Sequence, residues 1–408
     1  MGALLAAFLF FQTADYSAEG LQALDAGKFQ QAAEAFQKAI AADPSDYGAH
    51  FNLALAYGFL HRDAEGIAEY RRTLELKPNL YEAELNCGIL LLRQKDAPAA
   101  VSLLQDAATQ KPREYRPRFF LAEAQLESGS LDEALAGYRL ALEIDPKSGG
   151  AELGIGRALA RQQNLADAEP HYRQAAALDP KLRPWLLELA GLYEKNHQPA
   201  PAIALYREFP DDPGVQSHLG QLMLDNQQYA DAIPRLEEAY AKEPSQANGV
   251  ALALAYLFAN QLPKALPLMR KAAEAEPGNF DVVMMYARGL RDSRDFPAAA
   301  AQFQAALKLK PDDAAGWSDL GGTLHMQGDL PNALAAFEKA RALGQDTAGN
   351  CFLRAIILDK MHHAKPALIK PALEAYQQFL AMSQGKNPDR EFQARQRVRI
   401  LKSELERR

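Results

Sequence analysis

The stretch LDEALAGYRLALEIDP, at residues 131–146, is written more than once in this chain. Near-copies stand at residues 29–44, as FQQAAEAFQKAIAADP, and at residues 165–180, as LADAEPHYRQAAALDP. The prolines that close these and the intervening units lie 34 residues apart, at Pro44, Pro78, Pro112, Pro146 and Pro180. A fixed period of this length indicates an array of repeated units and not one compact domain of 408 residues.

Each unit alternates small and large residues at fixed places. In the unit that ends at residue 146, Ala122 and Ala134 stand twelve residues apart, and Tyr138 follows four residues later. Ten successive units have Gly or Ala at both small positions and a large apolar residue at the third. This pattern predicts two helices that approach closely at one level and enclose a bulky side chain at the next.

The same unit is interpreted as a pair of α-helices. Apolar residues recur every three or four positions on both sides of Gly129, which is placed to end the first helix. Asp132 and Glu133 favour the start of the second helix, where the helix dipole is positive, and Pro146 stops it. Four other units place a proline at that start, where no N–H is needed: Pro98, Pro263, Pro297 and Pro331.

The stretch WSDLGGTLHMQGDLPNALAAFEKARAL, at residues 317–343, carries an aromatic residue, Leu-Gly, Gly-Asp, Ala and Phe in a fixed order. This pattern resembles the tetratricopeptide repeat, and the resemblance covers about residues 13–382. It implies an all-α fold, a right-handed superhelical solenoid of about eleven helix–turn–helix repeats with a C-terminal capping helix. In such an array each unit needs its neighbour in order to bury its apolar face.

Two interruptions of the register suggest domain limits. Pro210 is expected to cut one second helix short, and the stretch KMHHAKPALIKP at residues 360–371 enlarges the turn of the eleventh unit. We predict four segments: an apolar N-terminal segment at 1–12, repeats one to six at 13–210, repeats seven to eleven at 211–384, and a capping helix at 385–408.

Composition restricts the class of partner. The 45 Lys and Arg residues against 52 Asp and Glu residues give a net charge of −7, which argues against binding to nucleic acid. Cys87 and Cys351 lie far apart with no CxxC neighbour, so both are interpreted as small buried apolar residues.

The N-terminal run GALLAAFLFF, at residues 2–11, is too short to span a bilayer. It resembles the apolar middle of a secretory signal, although no Lys or Arg precedes it and no A-x-A site follows. We predict a degenerate export signal, which would place the protein in the periplasm, in the cell envelope or outside the cell. The alternatives are a cytoplasmic protein with this strip packed on its first helices, and membrane contact through an uncleaved segment. N-terminal sequencing of the mature protein distinguishes these outcomes.

The sequence contains no phosphate-binding loop, no H-E-x-x-H motif and no nucleophile elbow. We therefore predict a protein that is not an enzyme and that has no cofactor, metal ligand or catalytic residue. Gly154 and Gly156 fall at the small positions of a helix and are not interpreted as a cofactor loop. His362 and His363 are interpreted as part of a solvated turn.

In the resembled family, the first helices of successive units line a concave groove. The resemblance places these peptide-binding candidates in the first half: Phe51, Leu55, Phe59, Leu85, Ile89, Leu92, Phe119 and Glu123, with Glu127 beside them. It places these in the second half: Val250, Leu254, Leu257 and Phe258, with Arg288 and Arg291. We expect the apolar ones to lie on a helix flank that is not needed for packing between repeats, and exposed apolar surface usually marks an interaction site.

The family's clamp for chaperone C-terminal carboxylates is only partly present. Asn52 and Asn86 match one asparagine position, but Phe51 and Leu85 stand where lysine belongs. We predict a non-enzymatic scaffold or adaptor that binds other protein or peptide segments. The alternatives are a self-associating structural subunit and an accessory, non-catalytic subunit of an envelope enzyme or assembly complex.

Overall fold

A computed structural model describes residues 15–407 of the chain. These residues form α-helices, two short 3₁₀ turns and connecting loops, and the described range contains no β-strand. The predicted all-α class is confirmed. The predicted N-terminal segment at 1–12 lies outside the described residues. Within the described range, no helix has both the length and the apolar character that crossing a membrane requires.

The helices pack in two compact units, one that extends to Leu205 and one that begins at Tyr206. The helices of the first unit pair in chain order as α1 (15–25), α2 (Phe29–Ala42), α3 (Tyr47–Phe59), α4 (Asp63–Leu76), α5 (Tyr81–Arg93), α6 (Ala97–Gln110), α7 (Tyr115–Ser128), α8 (Leu131–Ile144), α9 (Gly149–Arg161), α10 (Leu165–Leu178), α11 (Trp185–Lys195) and α12 (Pro199–Tyr206). The domain limits given above stay a prediction.

The second unit follows the same plan. Its helices are α13 (Pro213–Asp225), α14 (Tyr229–Lys242), α15 (Gln246–Phe258), α16 (Leu262–Ala275), α17 (Phe280–Asp292), α18 (Phe296–Leu309), α19 (Ala314–Gln327), α20 (Leu330–Ala342), α21 (Ala348–His362), α22 (Ile369–Ser383) and α23 (Pro388–Glu406). Helix α23 packs on α22 within the segment that was predicted to cap the array.

The core of each repeat follows the predicted alternation of small and large residues. Ala122 and Ala134 are fully buried between α7 and α8, and so is the ring of Tyr138 one turn further along. A Cβ atom at Gly154 of α9 would lie 2.4 Å from two atoms of that ring, which is far inside van der Waals contact. Glycine at this position therefore allows α9 to approach the second helix of the preceding repeat.

The predicted helix ends are also present. Gly129 ends α7 in the left-handed conformation, with φ of 88°, and Pro98 lies within the first two residues of α6. Helix α12 has 8 residues, whereas α10 has 14, in agreement with an early stop before Pro210. Cys87 and Cys351 are buried, free thiols, as predicted.

Polar contacts tie the two helices of a repeat together. His50 of α3 lies 2.5 Å from the carboxylate of Glu69 on α4, measured between Nδ1 and Oε2. In a later repeat Glu152 of α9 lies 2.7 Å from Nδ1 of His171 on α10. Each pair is separated by 19 residues, and the two repeats place the acid and the imidazole on opposite helices.

The turn predicted around His362 and His363 is only partly solvated. His362 is fully buried, so its interpretation as a solvated turn residue is wrong. It forms a hydrogen bond with the backbone carbonyl of Asp359, and its Nε2 lies 3.1 Å from the carboxylate of Glu404 on α23. The sequence pattern misses this contact because the partner carboxylate comes from a helix 42 residues further along the chain.

Candidate functional site

A small pocket lies in the first unit where the first helices of neighbouring repeats run side by side. Its volume is about 210 Å³. Helices α3, α4, α5 and α7 contribute its lining, which is Leu55, Gly58, Phe59, Tyr70, Asn86, Ile89, Leu90, Arg93 and Arg116. We call it the α3–α5 pocket. It contains three of the residues predicted from the sequence: Leu55, Phe59 and Ile89.

The apolar part of the α3–α5 pocket includes one strongly exposed ring. Phe59 is 53% exposed, and its inner face stacks on Phe29 of α2 with ring centroids 4.5 Å apart. Leu55 and Ile89 are partly exposed beside it. A partly exposed aromatic ring that is held in place by a second ring offers apolar area with little mobility to lose on binding.

Polar groups complete the lining of the α3–α5 pocket. Arg93 donates to the carbonyl of Gly58 at 3.2 Å and forms an ion pair with Asp63 at 2.8 Å, so it is held against α3 and the turn that follows. Arg116 is exposed, and its charge interacts with the nearby carboxylate of Glu114 without a hydrogen bond between the two side chains. The pocket therefore joins apolar surface to an exposed guanidinium.

The floor of the α3–α5 pocket is a buried tyrosine. Burial raises the pKa of Tyr70, and a hydrogen bond with the Asn86 side chain opposes this rise only in part. The hydroxyl therefore stays neutral at physiological pH. Asn86 is one of the two asparagines that matched the family's clamp, and its side chain lies beside this hydroxyl at the pocket.

Leu85 does not belong to an open groove. It is only 3% exposed and is part of the core between α4, α5 and α6, so the expectation that it is free of inter-repeat packing is wrong. Phe51 and Leu92 pack against the same core while keeping part of their surface exposed.

Phe119 and Glu123 of α7 lie in a separate cluster within the first unit. Phe119 stacks on Tyr115 at 5.4 Å between ring centroids and packs edge-on against Tyr138. Glu123 accepts a hydrogen bond from the Tyr138 hydroxyl and lies 3.6 Å from Arg157. The carboxylate is therefore engaged within the fold, and its role in peptide binding stays a prediction.

Glu127, one turn further along α7, is paired with two cations of α9. It lies 2.7 Å from Arg157 and 2.9 Å from Arg161. Burial alone would raise the pKa of Glu127, but the hydrogen bonds and charges of these two arginines outweigh it and hold the pKa below its ordinary value. The pairing links two successive repeats across the first helices.

The variant Glu127→Gln tests this pairing through its pH dependence. Because the folded pKa is lowered, the carboxylate stabilises the first unit above its unfolded pKa of about 4.3, and this contribution is lost as the pH falls through the folded pKa. At neutral pH the free energy of unfolding of wild type should exceed that of the variant by less than about 1 kcal/mol, since exposed ion pairs are weak. Urea unfolding followed by Trp185 fluorescence measures this difference. A difference that is the same at low pH as at neutral pH contradicts the pairing of Glu127 with the two arginines.

The predicted apolar cluster of the second unit also contains one strongly exposed ring. Phe258 is 54% exposed and stacks on Tyr229 of α14 at 5.0 Å between ring centroids. Leu254 and Leu257 are partly exposed, and Val250 packs against the core of α17 and α18. This cluster repeats the arrangement of Phe59 on Phe29.

Arg288 and Arg291 meet on one carboxylate. Arg288 donates to Asp319 at 2.9 Å and Arg291 at 2.8 Å, and Arg291 also pairs with Asp292 at 3.0 Å. Asp319 lies on α19, so the two arginines connect successive first helices. Their charges are largely balanced within the fold, and a role in binding stays a prediction.

Two lining residues, Arg93 and Arg116, were not among the predicted positions. Arg93 stands 34 residues after Phe59, and Arg116 stands 34 residues after Glu82. Arg93 therefore occupies the register position of Phe59 in the next repeat, which is a signal that the sequence carries.

The chain is similar to two curated proteins over parts of their length. It is 25% identical to "Hsp70-Hsp90 organizing protein" of Triticum aestivum over 204 residues, which is 50% of this chain and 26% of that protein. It is 33% identical to "Protein O-mannosyl-transferase TMTC1" of Mus musculus over 88 residues, which is 21% of this chain and 9% of that protein. The chain therefore spans about a quarter or less of these relatives.

Solved structures match about two fifths of the chain. The structure named "MamA MSR-1 C2" is 24% identical with a TM-score of 0.39, over 41% of this chain and 97% of its own. The structure named "Crystal structure of YrrB: a TPR protein with an unusual peptide-binding site" is 21% identical with a TM-score of 0.39, over 40% of this chain and 85% of its own.

Two family models, both described as tetratricopeptide repeat, match most of the chain. One matches residues 17–81, 153–214, 219–280 and 284–347, and the other matches residues 91–153. The matched ranges coincide with successive helix pairs from α1 to α20. The repeats that the sequence predicted are thus found both in the family models and in the helix pairs, and the chain belongs to the tetratricopeptide repeat family.

Proposed function

We propose that this chain is a non-catalytic scaffold that binds a segment of another protein, and that the α3–α5 pocket holds one apolar side chain of that segment. The observation that carries the proposal is the composition of the pocket. Leu55, Ile89 and the exposed ring of Phe59 supply apolar surface beside the exposed guanidinium of Arg116.

The size of the α3–α5 pocket favours a side chain over a complete small molecule. Its volume of about 210 Å³ is below the range of roughly 300–1,000 Å³ that is usual for pockets that enclose a drug-sized ligand. A bound peptide anchors itself with a few apolar side chains in such pockets. Arg116 at the pocket would pair with an acidic residue of the same segment, since guanidinium groups bind carboxylates in a two-pronged geometry.

Membership of the tetratricopeptide repeat family supports the scaffold role. The relative from wheat is named as an organizing protein of two chaperones, which fits a protein that brings others together. Its partners are not part of the proposal, because Phe51 and Leu85 replace the lysines that a chaperone-tail clamp needs, and Leu85 is buried.

A non-catalytic role is also supported by the state of the acids near the groove. Glu123 accepts from Tyr138, and Glu127 is paired with Arg157 and Arg161. A general acid or base needs a carboxylate that can reach a substrate proton, and these two are held by their neighbours. The proposed compartment is the cell envelope or the exterior, and this part rests on residues 2–11 alone.

A native pull-down with mass spectrometry tests the proposed site. The double variant Phe59→Asp with Arg116→Glu should capture specific partners about ten-fold less than wild type, because a central aromatic anchor and its charge neighbour often dominate binding. Both side chains are exposed, so the fold should tolerate the changes. Circular dichroism verifies that the helices persist.

A matched control separates the pocket from general surface effects. Phe392→Asp with Arg113→Glu introduces the same charges at an exposed ring that is not a groove candidate and at an exposed arginine outside the pocket lining. This control should capture the same partners as wild type. If both double variants retain the partners equally, the α3–α5 pocket is not the site. Light scattering on the wild-type chain identifies self-association, in which case the captured partner is a second copy.

A further inference from the structure

A second and larger pocket lies in the second unit, between α13, α14 and α15. Its volume is about 510 Å³, which is within the usual range for ligand pockets. We call it the α13–α15 pocket. Its lining includes the polar residues Ser217, His218, Gln221, Arg235 and Asn248.

Small residues explain why space is left at this place in the repeat. Leu236 forms the floor of the α13–α15 pocket where Tyr70 forms the floor of the α3–α5 pocket. Ala251 of α15 occupies the register position of Asn86 on α5. A leucine and an alanine fill less volume than a tyrosine and an asparagine, so the groove between the first helices stays open down to α14.

Arg235 is the residue that indicates a ligand. Its Nε is buried and has no hydrogen-bond partner in the described chain, although one terminal nitrogen donates to the carbonyl of Asp231 at 2.9 Å. No carboxylate between residues 15 and 407 forms an ion pair with it. A buried donor on a charged group is costly to leave unpaired, so an acceptor from outside the fold would be favoured here.

Of the other charged residues that line the α13–α15 pocket, Lys242 and Glu238 lie 2.6 Å apart and cancel each other. Glu243 also lines the pocket, is exposed and forms no ion pair with the described residues; only its backbone carbonyl accepts from the Asn248 side chain, at 2.9 Å. Arg235 is therefore the lining cation without an ion-pair partner among the described residues.

We propose that the α13–α15 pocket binds a carboxylate, with the guanidinium of Arg235 as its donor. A guanidinium can bond both oxygens of a carboxylate through two of its nitrogens, which a lysine cannot imitate. The carboxylate comes either from an acidic side chain of a bound protein segment or from a free dicarboxylate. This site lies in the other unit from the α3–α5 pocket and has different chemistry, so it goes beyond the scaffold function proposed above.

Isothermal titration calorimetry on the full chain tests the proposal with three probes: a tetraglutamate peptide, the matching tetraglutamine peptide, and glutarate. Tetraglutamate should bind and tetraglutamine should not, because only the first carries carboxylates. Binding of glutarate as tight as that of tetraglutamate would identify a free dicarboxylate as the source. Binding of tetraglutamate alone would identify a protein segment. No binding of either acid by the wild-type chain overturns the proposal.

Variants assign the binding to the pocket. Arg235→Gln should weaken acid binding by about ten-fold or more, and Arg235→Lys should recover only part of it, because a single ammonium cannot bond both oxygens at once. Arg270→Gln removes an exposed charge on α16 and should leave the affinity unchanged. Equal affinities of wild type and both Arg235 variants, with circular dichroism showing intact helices, overturn the proposal.

Discussion

Alanine at Gly154 is expected to lower the free energy of unfolding of the first unit by about 1–3 kcal/mol. Its Cβ would lie 2.4 Å from two ring atoms of Tyr138, which is fully buried and donates a hydrogen bond to Glu123. In a helix with free space, the same replacement stabilises by roughly 0.5–1 kcal/mol. Here the overlap outweighs that gain, because a packed ring with a bonded hydroxyl has no alternative position nearby.

Intrinsic fluorescence measures this effect unit by unit. The chain has two tryptophans, Trp185 in the first unit and Trp317 in the second, so a Trp317→Phe background leaves one reporter for the first unit. Gly322→Ala in α19 is the matched control, since no atom lies within 4 Å of a Cβ at that position. In a Trp185→Phe background, the control should stabilise its unit, followed through Trp317. A gain of stability at Gly154 as well would contradict the close approach of α9 to Tyr138.

Arg397→Ala is expected to destabilise the end of the second unit by about 2 kcal/mol. Arg397 of α23 donates two hydrogen bonds of 2.6 Å to Asp359 of α21, and Tyr376 of α22 donates a third at 3.0 Å. Asp359 is only 7% exposed, so removal of the arginine leaves a buried carboxylate with a weaker set of partners. The partial exposure of Arg397 itself keeps the loss below that of a fully buried pair.

Hydrogen–deuterium exchange locates this loss. Amides of α23 should exchange faster in Arg397→Ala, together with a lower urea midpoint seen through Trp317. Arg399→Ala, two residues further along the same helix, removes an exposed arginine and should change stability by less than about 0.5 kcal/mol. Equal effects of the two variants would show that the bidentate contact does not hold α23 in place.

The repeat itself could be predicted from the sequence because its signals are local. The cap at Gly129 and the prolines at helix starts depend on residues a few positions away. Contacts that cross repeats could not be predicted in the same way. His362 looked solvated in the sequence because Glu404, its partner, belongs to another helix.

The candidate site was predictable only in part for a related reason. The register placed Leu55, Phe59 and Ile89 together in one pocket, as the structure has them. The register also placed Leu85 in the groove, but the packing between repeats buries this side chain. Helix periodicity alone does not distinguish a residue that faces the groove from one that faces the next hairpin. Nothing in the sequence indicated that Arg235 lines a pocket. Its buried Nε and its place beside Ala251 in the pocket lining are visible only once the helices are packed.

In two repeats the acid and the histidine of a paired contact are on opposite helices of the hairpin, and this arrangement has a consequence for protein engineering. The hairpin of α3 and α4 pairs His50 with Glu69, while the hairpin of α9 and α10 pairs Glu152 with His171. A chimera that moves a whole hairpin keeps either pair intact. A chimera that joins α3 to α10 would instead set two imidazoles against each other, and one that joins α9 to α4 would set two carboxylates together. The smallest module that can be shuffled in this chain is therefore the hairpin and not the single helix.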